Sequence, residues 1–269
     1  MRLGDAQSVK NAVTASLCFC FLSSSLYLIN DIIDAKSDRA HPEKRNRPIA
    51  SGALSIGLAL CVVVLLMAIA YSSAAFLLGP RFLSLALVYT VITLTYCLTL
   101  KRAIVLDGML IAGGFVVRVV GGAVAIGVEP SHWLIVCAFL LALFLAFTKR
   151  RQELLMLSDQ ASQHRQVLGQ YTVDFLDRAN NILLGATIVC YALYTVAPDT
   201  VQRFGTDKLL YGTTFVLYGL LRYLALQQHL DNGGNPTKML IKDKPLLLTV
   251  VGWAIFNALI IYRVHLILP

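Results

Sequence analysis

Asp31, Asp34 and Asp38 recur at i, i+3 and i+7, directly behind the apolar run "SSSLYLI" and just ahead of Arg39, Lys44, Arg45 and Arg47. On a helix this spacing lines three carboxylates along one face. Like charges on one stripe repel, so the arrangement asks for a countercharge, and a hard divalent cation supplies it. Mg²⁺ takes oxygen ligands, keeps several waters, and binds through one or two carboxylates plus substrate phosphates. The three aspartates are therefore the candidate metal-binding and catalytic residues, and Asn30 adds an amide oxygen beside them. The four basic residues suit phosphate oxygens, with arginine giving bidentate contacts. Pro48 and Gly52 would bend the chain back over such a site. The competing reading is a juxtamembrane loop whose basic residues set orientation and whose acids aid solubility.

The elements that must position these residues are membrane spans. Of 269 residues, 57% are apolar and only 14% charged, with a mean hydropathy of +0.70; soluble domains carry about 25% charged residues. Windows long enough for a bilayer-spanning helix fall near 12–29, 54–77, 82–100, 104–127, 132–148, 180–197, 209–227 and 246–268. Loops after spans 1, 3, 5 and 7 hold 15 Lys and Arg, against 5 in the N-terminal segment and the loops after spans 2, 4 and 6. By the positive-inside rule the first set faces the cytoplasm. The net charge of +8 is thus an orientation signal, and nucleic acid is not an expected partner. No cleavable signal peptide is expected, since 1–11 is polar and no Ala-x-Ala site follows the first span. The six cysteines lie scattered within spans, which argues for packing and against a disulfide framework or zinc site. The expected architecture is one all-α polytopic domain over 1–269, with two long polar segments, 30–53 and 149–179, on its cytoplasmic face. Each follows the first span of a set of four, a hint of two related halves.

Other charges carry weaker signals. Lys101 and Arg102 end span 3 and are either substrate contacts, Lys101 foremost, or snorkelling anchors, and Asp107, six residues beyond Lys101, is a candidate partner for it. Lys149 and Arg150 leave the membrane with span 5 and are either substrate contacts or snorkelling anchors. Arg118 sits mid-span within "GGFVVRVVGG", so it is expected to face the bundle interior and meet an anion or a carboxylate. Its flanking glycines permit close helix approach. Arg222 lies nearer a membrane edge, and His41, a single histidine in the motif loop, is not a metal site.

"NDIIDAKSD" resembles the N-D-x-x-D-x-x-x-D signature of the UbiA-type intramembrane prenyltransferase superfamily. The resemblance extends toward one branch, the polyprenyl-phosphate phosphoribosyltransferases (decaprenyl-phosphate acceptors), through "YLINDIIDAKSDRAHPEKRNRPIASG", "GFVVRVVGGAVAIGVEPSHWL", "FTKRRQELL", "QYTVDFL", "LLRYL" and "DKPLLLTVVGWA". It implies a Mg²⁺-diphosphate site and transfer of 5-phosphoribose from phosphoribosyl diphosphate to a polyprenyl phosphate, releasing diphosphate, for cell-wall arabinan precursors in a bacterial inner membrane. It also implies nine helices, one ahead of the motif helix, whereas eight spans are counted here. The second aspartate motif of the superfamily corresponds to Asp174 and Asp177 without a third acid, and Tyr171 matches as a phosphate hydrogen-bond donor. A phosphoribosyl donor carries a 5-phosphate needing its own cations, for which Arg118, Lys149 and Arg150 are the candidates. A homo-oligomer is compatible with the branch. The alternatives are prenyl transfer to an aromatic or other acceptor and, from another class, a membrane transporter.

Overall fold

The computed structural model describes residues 5–40, 44–157, 166–229 and 236–267. His41 and the 158–165 part of the second polar segment lie outside them. Among the described residues there is no strand, and eight helices are long and apolar enough to cross a membrane. They fall where the eight hydrophobic windows place them.

The chain forms two compact units, one of residues 1–130 with 160–169, the other of 131–159 with 170–269. In the first unit, α1 (Ala6–Ala40), α2 (Ile56–Ser73, prolonged by a π-turn over Ala74–Leu78), α3 (Pro80–Leu98) and α4 (Leu106–Ala125) are the four spans. At 35 residues α1 is about 52 Å long, well beyond a hydrocarbon core of about 30 Å. Its last three turns therefore carry Asp31, Asp34 and Asp38 past the apolar window on an unbroken helix.

Phe19 is the hub of this unit's core. Its ring meets Phe82 edge-on at 5.3 Å and Tyr89 at 5.5 Å between centroids, among buried Leu22, Leu26 and Ala86. Gly121 lets α4 approach α1 here: a Cβ at that position would stand 2.7 Å from the Phe19 ring, which its aromatic neighbours hold in place. Asn11 Nδ2 donates to the Ala125 carbonyl at 3.1 Å, so α1 and α4 run antiparallel with the start of one beside the end of the other. Large side chains such as Val64 and Phe76 point outward, Phe76 with 87% exposure, as expected of surfaces solvated by lipid.

The second unit contains α5 (His132–Leu157), α6 (Val173–Val196), a short α7 (Pro198–Phe204), α8 (Thr213–His229), a short α9 (Pro236–Lys242) and α10 (Lys244–Ile267). Thr172 caps α6 by accepting from Phe175 N at 3.1 Å. That start precedes the hydrophobic window by about two turns and puts Asp174 and Asp177 on the entry turns of a spanning helix. Tyr171 is buried against Phe147, with centroids 6.0 Å apart. Further along, Trp253 Nε1 donates to Tyr191 Oη at 2.8 Å and ties α10 to α6.

Candidate active site

The chain leaving α1 folds back over the carboxylate stripe. Ile49 packs with Ala35 and Ala59, and Leu54 N donates to the Pro48 carbonyl at 2.9 Å. Gly52 turns the chain at φ +83°, a left-handed conformation that glycine adopts without strain. Ser55 then caps α2, accepting from Leu58 N at 3.3 Å. Arg39 Nε donates to the Ala50 carbonyl at 3.1 Å, so this arginine holds the loop.

The docked loop lays Arg47 across the stripe. Its Nη1 stands 2.7 Å from Asp31 Oδ1 and 2.9 Å from Asp38 Oδ2. From the other direction, Lys101 Nζ reaches Asp34 Oδ1 at 2.6 Å. Lys101 follows α3 in the short turn Leu100–Arg102, and the link to α4 passes through Val105 at φ +66°, a strained conformation for a β-branched residue. Asp107, expected from spacing to meet Lys101, is fully buried at the start of α4, while Lys101 spans 67 residues to Asp34. Asp38 is 5% exposed, whereas Asp31 and Asp34 are half-buried, as are Asn30 and Lys44; Arg45 is exposed.

The donor set suits a hard cation. One cationic nitrogen already sits between two carboxylate oxygens that are within about 5.6 Å of each other, the sum of its two contact distances. A Mg²⁺ ion with Mg–O contacts of about 2.0–2.1 Å needs only one or two such carboxylates, with water and phosphate oxygens completing its shell. Among the described residues no three His, Cys, Asp or Glu side chains converge on one point, because Asp34 is turned to Lys101 while Asp31 and Asp38 share Arg47. The arrangement is thus two carboxylates around one cation, with a third alongside.

In the second unit, the candidate residues have internal partners. Arg150 is 2% exposed and bonds Glu153 one turn along α5 at 3.0 Å; Lys149 is exposed. Arg178 bonds Asp174 at 3.0 Å, both largely exposed, and Arg151 forms a two-pronged contact with Asp177. Arg222 bonds both carboxylate oxygens of Asp243 at 2.8 and 2.9 Å. Asp243 also accepts from Leu246 N at 2.8 Å at the head of α10, and its Arg222 bonds hold its carboxyl below the usual value. Arg151, Glu153 and Asp243 were not among the sequence candidates. For Asp243 the signal was present: an acid two residues before Pro245 and an apolar run is a helix-start pattern.

Arg118 is not brought to the aspartates. Its guanidinium lies 4.1 Å from the Phe115 ring centroid and 5.6 Å from that of Tyr89, beside a cavity of about 390 Å³ between α1 and α4. An arginine at mid-span costs about 2.5–3.5 kcal/mol on insertion scales, and ring faces offset about 0.5–2 kcal/mol each.

The chain is similar to known proteins both in sequence and in fold. The profile of the UbiA prenyltransferase family matches residues 1–166. The decaprenyl-phosphate phosphoribosyltransferase of Mycolicibacterium smegmatis is 32% identical over 247 residues, covering 89% of this chain and 76% of that protein. Its counterpart in Corynebacterium glutamicum is 32% identical over 263 residues, covering 96% and 78%. In fold, a solved UbiA homologue from Archaeoglobus fulgidus bound to GPP and Mg²⁺ superposes with a TM-score of 0.71 at 18% identity, over 96% of this chain and 87% of that one.

Proposed function

Because this chain belongs to the UbiA prenyltransferase family, we propose that it transfers 5-phosphoribose from phosphoribosyl diphosphate to a polyprenyl phosphate in a Mg²⁺-dependent reaction. The observation that carries this reading is the carboxylate stripe of Asp31, Asp34 and Asp38 with Arg47 and Lys101 resting on it. Its occurrence in a chain 32% identical to two decaprenyl-phosphate phosphoribosyltransferases over most of its length supports this choice of donor and acceptor.

Asp31 and Asp38, with Asp34 alongside, would hold the cation. When bound, a divalent ion supplies the positive charge that a departing diphosphate needs. Arg47 and Lys101, which stand 2.6–2.9 Å from those carboxylates, would offer their charge to the diphosphate oxygens. Arg39 in the last turn of α1, with Lys44 and Arg45 on the loop, would enlarge the anion-binding surface. The bond from the anomeric carbon to the diphosphate oxygen breaks with its electron pair leaving on diphosphate. An ionised oxygen of the polyprenyl phosphate forms the new bond to that carbon. No general base is required, since the nucleophile carries no proton at neutral pH.

The 15-to-5 distribution of Lys and Arg supports a cytoplasmic position for the motif loops, and the bacterial origin of the relatives supports a bacterial inner membrane. There the product would serve as a cell-wall arabinan precursor. The test is purified protein in lipid nanodiscs with labelled phosphoribosyl diphosphate and decaprenyl phosphate, and in parallel an allylic diphosphate with an aromatic acceptor, each with and without Mg²⁺. Phosphoribosyl lipid formed only with Mg²⁺ is the expected result. Consumption of the allylic diphosphate with phosphoribosyl diphosphate untouched would overturn the assignment in favour of prenyl transfer.

A further inference from the structure

The cavity between α1 and α4 has an unusual lining for its depth. Ser16, Cys20, Ser23 and Ser24 of α1 face Arg118 and Gly122 of α4 across about 390 Å³. Among the described residues, Arg118 meets two aromatic faces and no carboxylate. The Tyr89 hydroxyl is tied to Ser23 Oγ at 2.8 Å, which fixes the ring beside the guanidinium. A cation so placed, with hydroxyls opposite and open space between, is arranged for an anion that enters from outside.

The cavity is in register with the motif. Positions 16, 20 and 23 of α1 continue through 27 to 31, 34 and 38 on one helical face, so the hydroxyls and carboxylates look the same way. Ser23 and Asp31 are eight residues apart, about 12 Å along the axis. Both ends lean into that interval. Side chains on a helix tilt toward its N-terminus, so Asp31 leans toward Ser23. Arg118, on the antiparallel α4, leans toward the motif end, as its stacking on Phe115 one turn earlier requires.

We propose that Arg118, with Ser23 and Ser24, binds the phosphate monoester of the polyprenyl acceptor and presents it to the anomeric carbon. This inference rests on the phosphoribosyl-transfer reading above, and it moves Arg118 from the donor's 5-phosphate, where sequence alone would put it, to the nucleophile. Distance supports the change. A metal–oxygen contact of about 2 Å, the P–O–C path of the donor and a near-attack gap of about 3–3.5 Å put the acceptor phosphorus on the order of 10 Å from the carboxylates. Depth supports it too: the cavity lies within the apolar window of α1, where a polyprenyl tail is solvated and a free sugar phosphate is not. A single guanidinium with hydroxyl donors matches one phosphate headgroup.

The test uses the full chain in nanodiscs without donor. Binding of a short-chain polyprenyl phosphate, the parent polyprenol, phosphoribosyl diphosphate and inorganic phosphate is measured for wild type, Arg118→Lys, Arg118→Gln and Ser24→Leu. Wild type should prefer the lipid phosphate to the alcohol at least tenfold, with inorganic phosphate a weak competitor. Arg118→Gln should abolish that preference and Arg118→Lys retain part of it. Ser24→Leu fills the cavity without touching the charge, and should weaken the lipid phosphate at least tenfold even if Arg118→Gln does not fold. In turnover, KM for the polyprenyl phosphate should rise at least tenfold in Arg118→Lys while KM for phosphoribosyl diphosphate changes less than twofold. A rise confined to the donor, or equal lipid binding in all variants, overturns the proposal. Arg118-dependent lipid binding in a protein that ignores phosphoribosyl diphosphate would instead sink the proposed donor and leave this site standing.

Discussion

Arg47 offers the sharpest test of the carboxylate stripe, because one side chain bridges two acids. Arg47→Met keeps the aliphatic stem and removes both hydrogen bonds, at 2.7 Å to Asp31 and 2.9 Å to Asp38. Charge-assisted bonds of this kind contribute about 1.5–3 kcal/mol when well buried. The Arg47 side chain is 36% exposed, so solvent screening brings each toward 1 kcal/mol or less. Asp38 is different, with its side chain 7% exposed; losing its partner leaves a buried charge uncompensated. Together these give an expected loss of about 2–3 kcal/mol in unfolding free energy without metal. With Mg²⁺ the sign of the effect on binding reverses. In wild type the ion must displace a guanidinium from the same two carboxylates, and in Arg47→Met it meets them bare. The apparent Mg²⁺ affinity should therefore rise about tenfold, equivalent to about 1.4 kcal/mol, and saturating Mg²⁺ should restore most of the lost stability. Turnover should still fall, because Arg47 is also assigned to diphosphate. Reversible unfolding in mixed micelles with and without Mg²⁺, together with calorimetric Mg²⁺ titration, measures both quantities. Unchanged stability with unchanged Mg²⁺ affinity would refute the claim that Arg47 and the metal compete for one site.

Asp31→Asn and Asp34→Asn should each abolish turnover while leaving the helical circular dichroism signal and the unfolding midpoint close to wild type; near-normal activity at saturating Mg²⁺ in both would remove them from the site. Gly121→Ala should destabilise by about 1–3 kcal/mol through overpacking, because its Cβ would stand 2.7 Å from Phe19, and Gly113→Ala, with open space around it, is the control that should not. The Arg222 bonds lower the Asp243 carboxyl below its ordinary 3.8, so the stability they contribute is complete above about pH 4 and is lost as pH falls through the depressed folded value; Asp243→Asn should flatten that acid limb and leave neutral-to-basic behaviour unchanged. In a cysteine-free background, Ser37→Cys should resist an impermeant maleimide in right-side-out vesicles and react once they are permeabilised, the reverse order refuting the cytoplasmic assignment.

Eight spans and the carboxylate stripe were legible in the sequence because both are local properties. A run of some twenty apolar residues can satisfy its backbone only as a helix in lipid, and the 3.6-residue period then places 31, 34 and 38 on one face whatever surrounds them. What neutralises those carboxylates was not legible. Arg47 reaches Asp31 and Asp38 only because Ile49 docks between Ala35 and Ala59, and Lys101 reaches Asp34 across 67 residues because α3 ends beside the end of α1. Spacing paired Lys101 with the near Asp107, whereas packing sends it to the distant Asp34. Likewise Arg150 and Arg151 are adjacent in sequence, yet a rotation of about 100° per residue turns one to Glu153 inside its own helix and the other to Asp177 on α6. Arg118 was identifiable as costly and inward-facing, but its aromatic bed and the serine-lined cavity opposite required α1, α3 and α4 to be packed together. Side-chain partners across helices depend on crossing geometry and relative depth, which no periodicity within a single segment encodes.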